Sequence, residues 1–338
     1  MAINKLTLKN FTVFDKLEIE FTDGINVLMG ENGTGKTHIM KVLYSACQAS
    51  RKEIAFNQKI VGVFRPDEMN IRRLIKRSPG AENSRIEIYS DLANIKTKFH
   101  SKTHKWNSET TGEANWEKQY NNLISTFIPA KEVISHAYNF EAAFKNGNID
   151  FDETYVDIVA SAKVNINKGL TPSSRKRYLD KLQEILTGTV TIENEKFYLK
   201  PGSQSKLEFS LVAEGIRKLA LLWQLIKNGT LENGSILFWD EPEANINPQK
   251  IPVLVDILLE LQKEGVQIFI ATHDYILAKY FEVKRRENNK VMFFSLYKDS
   301  DGSIVHAKNE YFSRLTPNPI DEAYEKLYNE VVNRALEE

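Results

Sequence analysis

Apolar residues alternate with polar ones at Ile3, Leu6 and Leu8, and again at Leu17, Ile19 and Phe21. Alternation of this kind marks strands with one buried face. The chain is therefore expected to open with a β-hairpin that turns across Asn10–Asp15. A short apolar run, Ile25–Met29, leads into a glycine-rich stretch, and His38–Ala49 reads as a helix. From Arg51 to about Ser203 the pattern is mixed, with a strand candidate at Arg85–Tyr89, a polar stretch at His100–Asn115, an apolar run at Leu123–Ile128 and a helix at Arg175–Leu186. Residues 51–203 are expected to form an inserted α/β region between two flanking segments, 1–50 and 204–338. Periodicity then returns: Ile216, Leu219, Leu222, Trp223 and Ile226 place a helix over Glu214–Lys227, closed by Asn228 and Gly229. Two buried strands follow, Ile236–Trp239 and Gln267–Ala271, with a helix from about Ile251 to Glu264 between them. That order predicts a parallel sheet in an α/β protein. Val291–Tyr297 and Ser303–His306 flank Asp299–Gly302 as a terminal hairpin, and Asp321–Glu338 reads as a last helix.

Composition narrows the class. A chain of 338 residues, 42% hydrophobic, suits one large domain or two ordinary ones. Its 45 basic residues balance 45 acidic ones, so no global field draws it to nucleic acid or membrane. The single cysteine, Cys47, excludes an internal disulfide and a cysteine-based zinc site, and a reducing cytoplasm is expected. The opening MAINKLTLKN lacks a signal-peptide core, and runs such as Ile268–Ala271 fall far short of the ~20 residues of a membrane span. No membrane insertion is expected.

The chemistry begins at Gly30-Glu31-Asn32-Gly33-Thr34-Gly35-Lys36-Thr37, followed by His38. This matches GxxxxGK[ST] between a predicted strand and a predicted helix. Glycines let successive N–H groups turn inward, and the helix adds its positive end to the anion site. Lys36 is expected to reach the β- and γ-phosphates of ATP, and Thr37 to ligate Mg²⁺. The run Ile236–Trp239 ends in Asp240 and Glu241, placing two acids at the carboxyl edge of the sheet, where open α/β proteins bind ligands. Asp240 suits the Mg²⁺ shell, and Glu241 suits the water-activating role. His273 ends the next strand at the same edge, where an imidazole can bond a γ-phosphate.

Other groups carry less. Arg72-Arg73 with Lys76-Arg77, Arg175-Lys176-Arg177 and Lys284-Arg285-Arg286 could contact phosphates, with solvated helix faces and turns as the expected reading. His100 and His104 have helical ligand spacing but no acidic companion nearby, so no zinc is expected.

P-loop, Asp-Glu-Pro and Thr-His-Asp stand in the order found in ABC-type ATPases, and the chain resembles their SMC/RecF branch, including compact bacterial ATPases related to the OLD family. Leu8-Lys9-Asn10-Phe11 with Phe14 resembles that branch's opening hairpin. Glu241-Pro242-Glu243-Ala244-Asn245-Ile246-Asn247-Pro248 resembles its Walker B and D-loop segment, with Asn245 and Asn247 as the D-loop residues. Phe127-Ile128-Pro129-Ala130-Lys131-Glu132 resembles a loop carried after the inserted arm. The resemblance implies an ABC-type head with a mainly parallel core sheet, an N-terminal antiparallel subdomain and an inserted α/β region. It also implies that two heads sandwich ATP, each capping the other's γ-phosphate with a signature loop. The matching positions are Ala213, Glu214, Gly215 and Arg217, where Ala213 replaces the family's serine and Arg217 or Lys218 is available to compensate.

Three functions fit the resemblance. The first is an intracellular ATPase whose nucleotide-driven dimerisation, as a homodimer or higher oligomer, controls DNA or a partner effector in DNA repair or phage defence. The others are the ATP-binding subunit of a membrane transporter and a non-hydrolysing nucleotide sensor or scaffold. OLD-type nucleases add a Toprim domain, which the 65 residues after His273 are too few to hold. Any nuclease or toxin is therefore expected as a separate protein.

Overall fold

The computed structural model describes residues 2–78, 80, 82–121, 123–166 and 173–337. Glu338, placed above in the last helix, and residues 167–172 of the middle segment lie outside the described residues. The opening hairpin is β1 (Ile3–Phe11) and β2 (Phe14–Glu20), paired antiparallel with Leu8 opposite Leu17 and Leu6 opposite Ile19. β3 (Ile25–Gly30) then enters the core and hands on to α1 (Lys36–Gln48) through the glycine-rich loop. After α2 (Phe56–Phe64), β4 (Asn83–Ser90) returns to pair with β1, and β5 (Asn94–His100) and β6 (Glu109–Thr111) extend the same sheet in the order β2-β1-β4-β5-β6. α3 (Glu113–Tyr120) leads to β7 (Ser125–Ile128), the edge of a second sheet.

Helices α4 (Phe140–Lys145), α5 (Glu153–Lys163) and α6 (Ser173–Leu186) precede a small three-stranded sheet of β8 (Thr189–Glu193), β9 (Lys196–Lys200) and β10 (Leu207–Glu208). The chain then alternates: α7 (Glu214–Lys227), β11 (Ile236–Asp240), α8 (Ile251–Lys263), β12 (Gln267–Ala271), α9 (Tyr275–Lys284) and β13 (Val291–Lys298). β14 (Ile304–Asn309) turns back antiparallel on β13, and α10 (Pro319–Glu337) follows. The core sheet has the order β14-β13-β3-β12-β11-β7, parallel throughout except at β14. The fold is thus an α/β one with a parallel core and an antiparallel N-terminal sheet.

Residues 51–203, expected as an inserted region, are threaded through both large sheets: β4–β6 complete the antiparallel sheet and β7 closes the core sheet beside β11. The reason is pairing. β1 has two edges, and β2 covers only one of them.

Strand parity divides the interior into two cores, as a period of two requires. Leu28, Ile236, Phe238 and Phe269 face α1 and the antiparallel sheet, whereas Val27, Leu237, Trp239, Ile268 and Ile270 face the helical layer of α7, α8 and α9. Buried Gln267 ties the layers together: its amide nitrogen donates to the carbonyls of Ile3 and Thr22, and its oxygen accepts from the Ile3 N–H. No described helix is long and apolar enough to cross a membrane.

Candidate nucleotide site

Five residues of glycine-rich loop, Glu31–Gly35, connect β3 to α1. Gly35 sits at the helix N-cap with φ 88, and a Cβ there would come within 2.4 Å of the Phe14 ring, so the opening hairpin presses directly on this loop. α1 has no side-chain cap and no acid in its first turn, which leaves its first N–H groups to an anion. Lys36 curls over the loop, its ammonium donating to the carbonyls of Gly30 at 2.7 Å and Glu31 at 2.8 Å. Thr34 braces the loop from inside by donating to the Glu31 carbonyl at 2.8 Å. Burial pulls the Lys36 ammonium down from its ordinary pKa, against the charges of Asp240, Glu241, Glu243 and Glu31.

β11 carries its acids to the carboxyl edge beside this loop. The Thr37 hydroxyl donates to the two Asp240 carboxylate oxygens at 2.9 and 3.2 Å. Asp240 is pushed up to about 6 by burial, partly offset by the Thr37 bond and reinforced by the charge of Glu241. A buried carboxylate with acidic neighbours and a hydroxyl at hand is the donor chemistry that suits a hard divalent cation. Glu241 has left-handed backbone, φ 46, and its N–H donates to the Ala271 carbonyl at 2.9 Å. Its carboxylate meets His273, which lies at the end of β12, with Oε1 3.4 Å from Nδ1. Both side chains remain accessible, at 36% and 51% exposure, as groups that must meet a ligand or water should be. The structure therefore brings Lys36, Thr37, Asp240, Glu241 and His273 to one sheet edge.

Two more charged groups stand behind them that the sequence pattern did not single out for this place. Glu243 is pushed up to about 7 by burial and accepts from Thr272 Oγ1 at 2.6 Å, tying the acidic loop to the strand end that carries His273. Its signal was available, since it is the third acid within four residues, Asp240–Glu243. Lys218 is 1% exposed and donates to the Glu241 carbonyl at 3.2 Å, and burial lowers its pKa. Helical spacing puts Lys218 beside Leu222 and Ile226, at i+4 and i+8, but a lysine at the edge of an apolar stripe ordinarily extends to solvent, so its burial was not readable.

His38 turns towards the opening hairpin, with Nδ1 3.0 Å from Thr12 Oγ1 and its ring 5.4 Å from that of Phe64. Burial takes it down to about 4, so at neutral pH it carries no charge for a phosphate. It lines a cavity of about 490 Å³ with Thr12, Val13, Gly33, Arg73 and Lys76, on the flank of the glycine-rich loop. Glu31 and Asn32 are exposed on that loop.

The start of α7 packs against its own chain's acidic loop. A Cβ on Gly215 would lie 2.2 Å from the Asn245 carbonyl oxygen, and Asn245 is itself left-handed at φ 64. Asn247 caps the turn into α8 by accepting from the Gln249 N–H at 3.0 Å. Arg217 is held within the chain: its Nε lies 2.5 Å from Glu132 Oε2, and Nη1 donates to the carbonyls of Val212 at 2.7 Å and Phe209 at 3.2 Å. Ala213 and Leu211 are exposed just ahead of the helix, and Glu214 is half-buried. With Arg217 and Lys218 both engaged internally, neither is a free stand-in for the missing serine.

Comparison with known proteins identifies the family and the fold. The model of a family described as "AAA ATPase domain" matches residues 1–186, more than half of the chain. A second, "AAA domain, putative AbiEii toxin, Type IV TA system", matches residues 126–278. The DNA replication and repair protein RecF of Bacillus thuringiensis (strain Al Hakam) is 34% identical over 61 residues, 18% of this chain and 16% of that protein. The match thus spans only about a sixth of the length of these curated relatives. Among solved structures, an SMC head bound to the C-winged helix domain of ScpA has a TM-score of 0.60 at 14% identity, covering 91% of this chain and 98% of that one. An SMC head with an extended coiled coil, bound to the C-terminal domain of Pyrococcus furiosus ScpA, gives 0.54 at 12% identity, covering 98% and 99%. At these identities the likeness is one of fold.

Proposed function

Because the chain belongs to the AAA ATPase domain family, within the SMC/RecF-like branch of P-loop ATPases, we propose that it binds ATP with Mg²⁺ and hydrolyses it. The observation that carries this reading is the Thr37–Asp240 contact at 2.9 Å, which joins the P-loop to the acidic strand end across the sheet edge. Lys36 and the free N–H groups of Gly33–His38 would hold the phosphates, and Thr37 and Asp240 would hold the metal. When bound, Mg²⁺ neutralises phosphate charge. Glu241, half-buried and beside His273, is positioned to orient and deprotonate water, with His273 donating to the phosphate being attacked. The cavity that His38 lines beside Gly33 supports a place for the base and ribose.

On the same reading two heads close over ATP, and the α7 start of each, Ala213–Gly215, completes the partner's site. A P-loop leaves the outer face of the γ-phosphate open, and hydrolysis needs fixed donors there. The N-terminus of α7 carries no side-chain cap, so its N–H groups can serve. Association of this kind would control DNA or a separate effector such as a nuclease or toxin, in repair or phage defence, in the cytoplasm.

The test is light scattering of the Glu241→Gln protein, which should associate with ATP and not with ADP. Gly215→Asp is a poor probe because its side chain would strike Asn245 of its own chain. Leu211→Asp, at a position 72% exposed, should weaken the association without disturbing the fold. An oligomeric state indifferent to nucleotide in both proteins would rule the sandwich out.

A further inference from the structure

We propose that a cavity at the amino edge of the core sheet is a second anion site, one that takes a small polyphosphate. The cavity measures about 610 Å³, within the range of small-molecule sites. Connectivity fixes where it lies. α8 runs from the carboxyl end of β11 to the amino end of β12, and α9 from the carboxyl end of β12 to the amino end of β13. Lys263 and Lys284–Arg286 therefore sit at the opposite end of the sheet from Lys36 and Asp240. α6 brings Arg177 and Lys181 to the same opening. Two basic groups far apart in sequence, each readable as a solvated turn, thus converge on one concave surface.

Six cations line the cavity, Arg177, Lys181, Lys263, Lys284, Arg285 and Arg286, against two carboxylates, Asp256 and Glu260. Three cations have local partners: Lys284 with Asp256 at 2.9 Å, Lys263 with Glu260 at 2.8 Å, and Arg285 with Glu310 at 3.7 Å. Arg177, Lys181 and Arg286 have no ion-pair partner among the described residues. Like charges gathered on a concave wall repel one another and focus a positive field into it, and an anion carrying several charges relieves both effects.

The lining argues for phosphate charge over base recognition. Tyr178, the lining's aromatic ring, is buried and its hydroxyl donates to Glu264 at 2.8 Å, so no ring face is presented for stacking. Asn289 is likewise spent, its amide donating to the Leu259 carbonyl at 3.1 Å and Gln262 Oε1 at 2.9 Å. Arginines supply planar donor forks that match phosphate oxygens, and two of the three unpartnered cations are arginines. Because the three cations line one hollow, a compact polyphosphate suits them better than an extended strand, whose charges are spread along its length.

The site stands apart from the ATP reading, and the test separates them. Inorganic tripolyphosphate is titrated calorimetrically into the full chain, into Lys36→Ala, and into Arg177→Ala/Lys181→Ala/Arg286→Ala. The unsubstituted chain should show two binding events. Lys36→Ala should lose the P-loop event and keep the other, and the triple variant should weaken that other event at least about tenfold, with strong salt dependence. All three side chains are exposed or half-buried, and a thermal melt of the triple variant checks that the fold is retained. Absence of any event in Lys36→Ala, or unchanged affinity in the triple variant, overturns the proposal. So does a short DNA duplex that binds through these three residues and is not displaced by tripolyphosphate, since the ligand would then be a nucleic-acid backbone.

Discussion

The two ends of the core sheet are built from the same strands and treat charge in opposite ways. At the carboxyl edge, Asp240, Glu241 and Glu243 crowd together, partly buried, with Asp240 and Glu243 held well above ordinary carboxylate pKa values. At the amino edge the charges are mostly exposed cations, each tied singly or left open, as with Lys290 and Asp23 at 2.7 Å. The carboxyl edge buries like charges together, whereas a buried cation elsewhere, Lys59, is matched by Glu153 and Asp157 of the same chain at 2.7 Å. The acidic edge is under electrostatic stress that a bound cation would relieve, and the basic edge gathers its like charges with more of them in contact with solvent, which lowers the cost without removing it.

The largest effect expected at the carboxyl edge is on turnover. Glu241→Gln keeps the shape and removes the base, so ATP hydrolysis should fall by roughly a hundredfold or more while nucleotide still binds. Phosphate release assays check this, and wild-type turnover would move the water-activating role elsewhere. Next is Lys36→Ala, which removes the main side-chain counter-charge to the phosphates. ATP affinity should fall at least about tenfold by calorimetry.

A smaller effect is expected on stability, with a definite pH window. Burial pushes Glu243 up to about 7, above the 4.5 of a free glutamate. The folded state therefore binds the proton more tightly, and stability is lost as pH rises from about 4.5 through 7. Glu243→Gln keeps an acceptor for Thr272 without the charge. At pH 8 the variant should melt higher than the unsubstituted protein, by of order 1–3 kcal/mol, and the gain should vanish below about pH 4.5. A gain that persists at pH 4 would point to packing instead. The smallest effect belongs to the amino edge: Lys290→Ala breaks an ion pair whose side chains are 62% and 51% exposed, and should change stability by less than about 1 kcal/mol. If that change exceeds the one at Glu243, the contrast between the two edges fails.

The parts of the fold that were legible in the sequence are those whose signal is local. β3, the glycine-rich loop and α1 follow in order, α7 spans Glu214–Lys227 as its periodicity indicates, and β11 and β12 are the two apolar runs. What escaped depends on partners distant in sequence. Arg85–Tyr89 reads as a strand, but nothing in its pattern says that it pairs with Lys5–Lys9. α9 escaped because its apolar residues, Tyr275, Ile276, Leu277, Ala278, Tyr280, Phe281 and Val283, are spread round the helix and leave no single 3.6-residue stripe to read. At the site, Asp240, Glu241 and His273 were readable because each ends an apolar strand. Lys218 was not, because its burial rests on a carbonyl offered by a loop from another part of the chain.

The strand order carries a consequence for synthesis. β3 leaves the ribosome well before its two neighbours in the sheet, β12 and β13, which are made more than two hundred residues later. Until then the apolar strand that leads into the glycine-rich loop has neither edge covered, and loop closure over so long a stretch is slow. Over that interval the nascent chain carries a naked β-edge beside the unfinished glycine-rich loop. Holdase chaperones should engage it during that interval, until β12 and β13 cover both edges.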